Sequence, residues 1–87
     1  MINFKDIIEN EDLADVLSYL LPYKPMPVID NLFTRYKFEV VENALIYPTY
    51  KKLLDSGILT EDDEGHVRKG PNWKEPAFVT QKKYGIE

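Results

Sequence analysis

Apolar positions along this chain fall into three runs with three- and four-residue spacing, the period of a helix face. Ile7, Ile8, Leu13, Val16, Leu17, Leu20 and Leu21 make the first run and predict a helix over about residues 6–20, stopped by Pro22. Asn10 offers an alternative: it would cap a helix starting at Glu11 and leave residues 4–8 as a separate turn. Glu11, Asp12 and Asp15 would then favour the positive end of the helix dipole. Pro25 and Pro27 hold residues 23–27 as a loop, and Pro27 suits the first position of a second helix. Val28, Ile29, Leu32, Phe33 and Tyr36 give that helix its core face, to an end near Lys37. A third helix over about residues 48–56 turns Tyr50, Leu53 and Leu54 inward and takes Gly57 as its C-cap.

The period changes around these helices. Phe38, Val40 and Glu42 alternate with Val41, which fits a short strand within residues 38–46. Residues 58–60 and 66–69 read as two strands joined through 61–65, where Gly65 supplies a positive φ. After Pro71 the tail is expected to be irregular and pinned by Trp73 and Phe78, with a strand option at residues 77–80. The expected fold is α+β in one domain over residues 1–87: a helical part over 1–57, a hairpin over 58–70 and a tail over 71–87.

Ile46-Tyr47-Pro48-Thr49-Tyr50-Lys51-Lys52-Leu53-Leu54-Asp55-Ser56-Gly57-Ile58-Leu59 sets a tyrosine-proline step before two bases, a leucine pair and a glycine-aliphatic step. Gly65-His66-Val67-Arg68-Lys69 follows as a basic return strand. Together these resemble the recognition helix and wing of winged-helix regulators, most of all the PadR type. The resemblance implies a winged-helix-like fold, three helices followed by a small antiparallel hairpin. It also implies DNA contacts from Thr49, Lys51 and Lys52 on the helix and from His66, Arg68 and Lys69 on the wing. Two departures oppose that ligand. The helix presents no arginine, asparagine or glutamine to base edges. The wing tip is Glu61-Asp62-Asp63-Glu64, and carboxylates there meet the phosphate backbone repulsively.

Charge changes the picture further. Fifteen acids and 11 bases leave a net charge of -4. Residues 1–30 carry six acids and two bases, residues 31–65 seven and four, and residues 66–87 two acids against five bases. An acidic body with a basic tail suits a basic protein partner. At 87 residues the fold buries roughly 64% of the surface its extended chain exposes, enough for one modest core. With no cysteine, disulfides and thiolate zinc sites are excluded. Acids interrupt any signal-peptide core near the N-terminus and no run reaches membrane-spanning length, so a cytoplasmic location is expected.

Catalytic groups are sparse. His66 is the only histidine, Ser18 and Ser56 are the only serines, and no nucleophile–base set stands out, so no enzyme is expected. Neither cofactor nor metal is expected, since the acids at 61–64 lack the alternating spacing of a calcium loop. Gly70 and Pro71 read as a turn that seats Trp73 on the core; its other role would be an exposed interface anchor. Six tyrosines and this tryptophan supply amphipathic rings of the kind favoured at interfaces. The profile resembles, in general character and without a shared motif, small bacterial immunity proteins and antitoxins. That resemblance implies inhibition of a cognate basic toxin, such as a nuclease, by direct binding. Glu9, Glu11, Asp12, Asp15, Glu61, Asp62, Asp63, Glu64 and Trp73 would make the contact. The alternative is a DNA-binding winged-helix regulator, and the apolar face of the first helix would offer a homodimer contact.

Overall fold

A single helix over residues 6–20 would put Ile7 and Ile8 on the wrong side. Nine residues separate Ile7 from Val16 and Ile8 from Leu17, which is about two and a half helical turns, so the pairs point in opposite directions. The chain resolves this conflict by breaking. In the computed structural model, which describes residues 2–86, α1 spans Phe4–Asn10 and α2 spans Leu13–Leu20. Glu11 is extended between them, and the Asp12 carboxylate, not Asn10, caps the new helix by accepting from the Ala14 N–H. Ile7, Ile8, Val16 and Leu17 are then all buried together. The first-helix face expected to offer a homodimer contact therefore lies inside the core.

The proline-rich loop behaves as expected, with α3 running Met26–Tyr36 and Pro27 in its first turn, where the missing N–H costs nothing. Ile29 and Phe33 face the core, but Val28, expected with them, is exposed. Residues 38–42 are not a strand. They form a short helix, α4 (Phe38–Glu42), which buries Val40 and leaves Phe38 outside. A strand there would lack a partner, because the described residues contain one sheet, and its two strands pair with each other. Ala44, at φ 52°, reverses the chain, and the Leu45 N–H closes the turn on the Val40 carbonyl. α5 begins earlier than predicted, at Ile46, and runs to Asp55 with Tyr50 and Leu53 buried. Its end is a Schellman motif: Ile58 N–H bonds Leu53 C=O, Gly57 N–H bonds Leu54 C=O, and Gly57 sits at φ 77°.

β1 (Leu59–Glu61) and β2 (Val67–Lys69) form the predicted hairpin, antiparallel, with Leu59 opposite Lys69 and Glu61 opposite Val67. Residues 77–80 form a short helix, α6 (Ala77–Thr80), and not a strand. Its Phe78 is buried edge-on between Tyr19 and Tyr84. The tail returns to the start of the chain, where the Asn3 N–H donates to the Tyr84 carbonyl at 2.7 Å. The architecture is α+β, with six helices among the described residues instead of three, and buried side chains from every part of the chain form one cluster.

Candidate functional site

The four acids of the hairpin tip have separate local roles. Glu61 accepts a hydrogen bond from the buried Tyr50 hydroxyl at 2.5 Å. Burial first, then this bond and the Glu61 charge, push the Tyr50 hydroxyl well above its ordinary range, so it stays a donor. Asp62 builds the turn: its Oδ1 accepts from the N–H groups of Glu64 (3.0 Å) and His66 (2.9 Å), and its Oδ2 takes Arg68 Nε at 3.1 Å. The backbone bond from His66, ahead of the Arg68 contact, holds the Asp62 carboxyl below the usual range. Asp63 and Glu64 point outward, Glu64 with an oxygen 3.6 Å from His66 Nδ1.

The other predicted acids gather elsewhere. Glu9 is exposed on α1, Glu11 accepts from the Tyr84 hydroxyl, and Asp12 is the α2 cap. Partial burial, then the neighbouring Asp12 and Glu11 charges, raise the Asp15 carboxyl. This patch lies at the start of α2. The hairpin meets the other end, where Leu21 and Tyr23 share a cleft with Glu61 and His66. The eight residues of α2 set the two patches about 12 Å apart along its axis, so the fold does not merge them.

The basic positions are largely used within the chain. Arg68 is tied to Asp62, and His66 stands beside Asp62 and Glu64. Lys69 Nζ lies 5.3 Å from the Tyr23 ring centroid and 4.2 Å from that of Trp73. Lys51 and Lys52 are exposed on α5, while Thr49 is half-buried. Trp73 is half-buried, and its Nε1–H donates to the Ser18 carbonyl at 2.8 Å. That carbonyl would ordinarily bond the N–H four residues on, but residue 22 is proline. The indole supplies the missing donor.

Sequence reasoning missed the apolar surface. The exposed large hydrophobic side chains are Tyr23 (65%), Val28, Phe38 (54%), Leu45 and Tyr47 (72%), all between the α2–α3 loop and the start of α5. Of these, Tyr23 and Tyr47 line two adjoining clefts that share Met26 and Tyr47, while Val28, Phe38 and Leu45 lie outside both linings. One is a groove of about 260 Å³ lined also by Asp30, Val40, Val41 and Ile46. The other, about 630 Å³, lies between the α2–α3 loop, α5 and the hairpin. The tyrosines were flagged in the sequence only as a set. A usable signal was their position: Tyr23 and Tyr47 adjoin prolines at helix boundaries, where a ring has no inward place along the helix. Among the described residues no three His, Asp or Glu side chains converge as a metal site requires. No family model, curated protein or solved structure matches the chain.

Proposed function

We propose that this chain is a small acidic protein-binding module, an immunity or antitoxin protein that inhibits a cognate basic toxin, foremost a nuclease, by direct binding. One observation carries the reading: the two most exposed large rings, Tyr23 and Tyr47, line two adjoining clefts. Exposed aromatic surface at a cleft marks binding sites, and tyrosine is a favoured anchor. The chain as a whole carries a net charge of -4, and Asp63, Glu64 and Glu9 are exposed carboxylates available to steer a basic partner. In this reading α3, α4, α5 and the hairpin are a reduced winged helix turned to protein recognition. Duplex DNA is the weaker ligand, because Arg68 and Lys69, the wing cations it needs, already have partners within the chain.

Affinity capture from the native cell, followed by kinetics on the purified partner, tests this. A basic protein is expected whose nucleic-acid cleavage stops at one equivalent of the chain. Reversing Asp63 and Glu64 to lysine should lower the on-rate several-fold at about 50 mM salt, and Tyr47→Ala should raise the off-rate about tenfold. Asp62 is unsuitable for reversal because it shapes the turn. An acidic partner, or an on-rate indifferent to both charge reversals, overturns the proposal. Duplex binding at the same salt that is lost on replacing Lys51 and Lys52 would favour the DNA reading.

A further inference from the structure

The larger cleft holds a carboxylate without a cation. Three basic residues line it with Glu61, and none of them pairs with that carboxylate. Arg68 is bound to Asp62, His66 stands between Asp62 and Glu64, and the Lys24 ammonium lies 4.9 Å from the Phe4 ring centroid. Among the described residues no ion pair reaches Glu61. Tyr50 occupies its Oε1 and fixes the carboxylate in place, which leaves Oε2 open. Tyr47 packs edge-on to Tyr50, with ring centroids 6.1 Å apart, yet is 72% exposed, so its ring remains open beside that carboxylate. The chain already seats an ammonium against the neighbouring Tyr23 ring.

We propose that this cleft is a subsite for one basic side chain of the protein partner, an arginine ahead of a lysine, held by the Glu61 carboxylate and covered by the Tyr47 ring. A guanidinium matches both elements, since its planar fork pairs with a carboxylate while its face stacks on an aromatic ring. A volume of about 630 Å³ admits it with part of its stem. An acidic side chain would meet Glu61 unfavourably, and a purely apolar one would leave its oxygen unsatisfied. The inference rests on the proposed binding to a basic partner and adds where that partner's charge docks.

Amide NMR titration with N-acetyl-arginine amide tests it directly. N-acetyl-norleucine amide and N-acetyl-glutamate amide serve as controls. Saturable shifts are expected at the Glu61, Gly65 and His66 amides with the arginine probe and not with the controls. Glu61→Gln retains an acceptor for Tyr50 and should leave the rest of the spectrum in place, yet weaken the arginine response at least about fivefold; Tyr47→Ala should weaken it about threefold. An arginine response equal to that of norleucine, or unaltered in Glu61→Gln, overturns the subsite. If a basic toxin binds with Asp63- and Glu64-dependent kinetics but ignores Glu61→Gln, the subsite fails and the proposed function stands. Arginine uptake by the cleft in a chain that captures no basic toxin supports the subsite and fails the function.

Discussion

Replacing Trp73 by phenylalanine should cost far more than the loss of one surface ring. The substitution removes the indole N–H from the Ser18 carbonyl, which Pro22 leaves without its helical donor. Ser18 is buried, so water has poor access to that carbonyl. A buried acceptor left unpaired costs about 1–3 kcal/mol. The smaller ring also gives up about 1 kcal/mol of burial and some of the Lys69 contact. Together these come to about 2–4 kcal/mol, against a total of about 4–13 kcal/mol for a domain of this length. The melting temperature should fall by roughly 10–30 °C. Pro22→Ala supplies a control. Leu21 is already helical, at φ -59° and ψ -34°, so an alanine at 22 can turn its N–H to the Ser18 carbonyl. In that background Trp73→Phe should cost only its lost area, about 1 kcal/mol. Urea unfolding followed by far-UV circular dichroism measures all four chains, since fluorescence disappears with the tryptophan. If the two substitutions add to within about 0.5 kcal/mol, the donor-replacement argument is wrong.

Asp62→Ala should accelerate hydrogen exchange at the Glu64 and His66 amides, while Asp63→Ala leaves both unchanged. The Asp62 carboxyl is held low in the fold, so its contribution is complete above about pH 4 and lost as pH falls through its folded value; acid titration of these amides should show that loss, and Asp62→Ala should abolish it. Gly70→Ala should destabilise by at least about 2 kcal/mol in urea, because the new methyl collides with the Gly57 carbonyl where the two backbones touch. Asp15 has the opposite sign to Asp62: its carboxyl is raised by burial and by Asp12 and Glu11, so its charge opposes folding at neutral pH. Asp15→Asn should therefore stabilise the chain at pH 7, by less than about 1 kcal/mol given its exposure, with the gain gone near pH 3 where the acid is neutral in both states.

Features carried by local chemistry were legible in the sequence. Gly57 ends α5 as a C-cap must, Pro22 stops α2, the hairpin forms around residues 62–66, and Trp73 seats on the body. Features that depend on direction were not. Joining Ile8 to Leu13, five residues apart, into one run hid the half-turn that separates Ile7 from Val16. The alternation across residues 38–42 suits a strand, but a strand needs a neighbour, and none lies beside it. Ala44 takes a positive φ without a glycine to announce it, so the turn between α4 and α5 left no mark in composition. Phe38, at the start of α4, and Leu45, just after that turn, are exposed.

The acidic run at 61–64 shows why net charge alone does not define the site. All four residues contribute equally to the field that steers a distant partner. At contact, only oxygens without an internal donor remain available. The turn between β1 and β2 takes both Asp62 oxygens, because the amides of 64 and 66 point at it and Arg68 closes its outer side. Tyr50 takes one oxygen of Glu61 and turns the other toward the cleft bordered by Tyr47. Asp63 and Glu64 keep theirs for solvent or partner. The hairpin therefore separates one acidic stretch into a structural carboxylate, a cleft carboxylate and two steering carboxylates. Removing the charge at any of the four should lower the encounter rate; beyond that, substitution at 62 should also change the turn and substitution at 61 the contact in the cleft, while 63–64 should change the encounter rate alone.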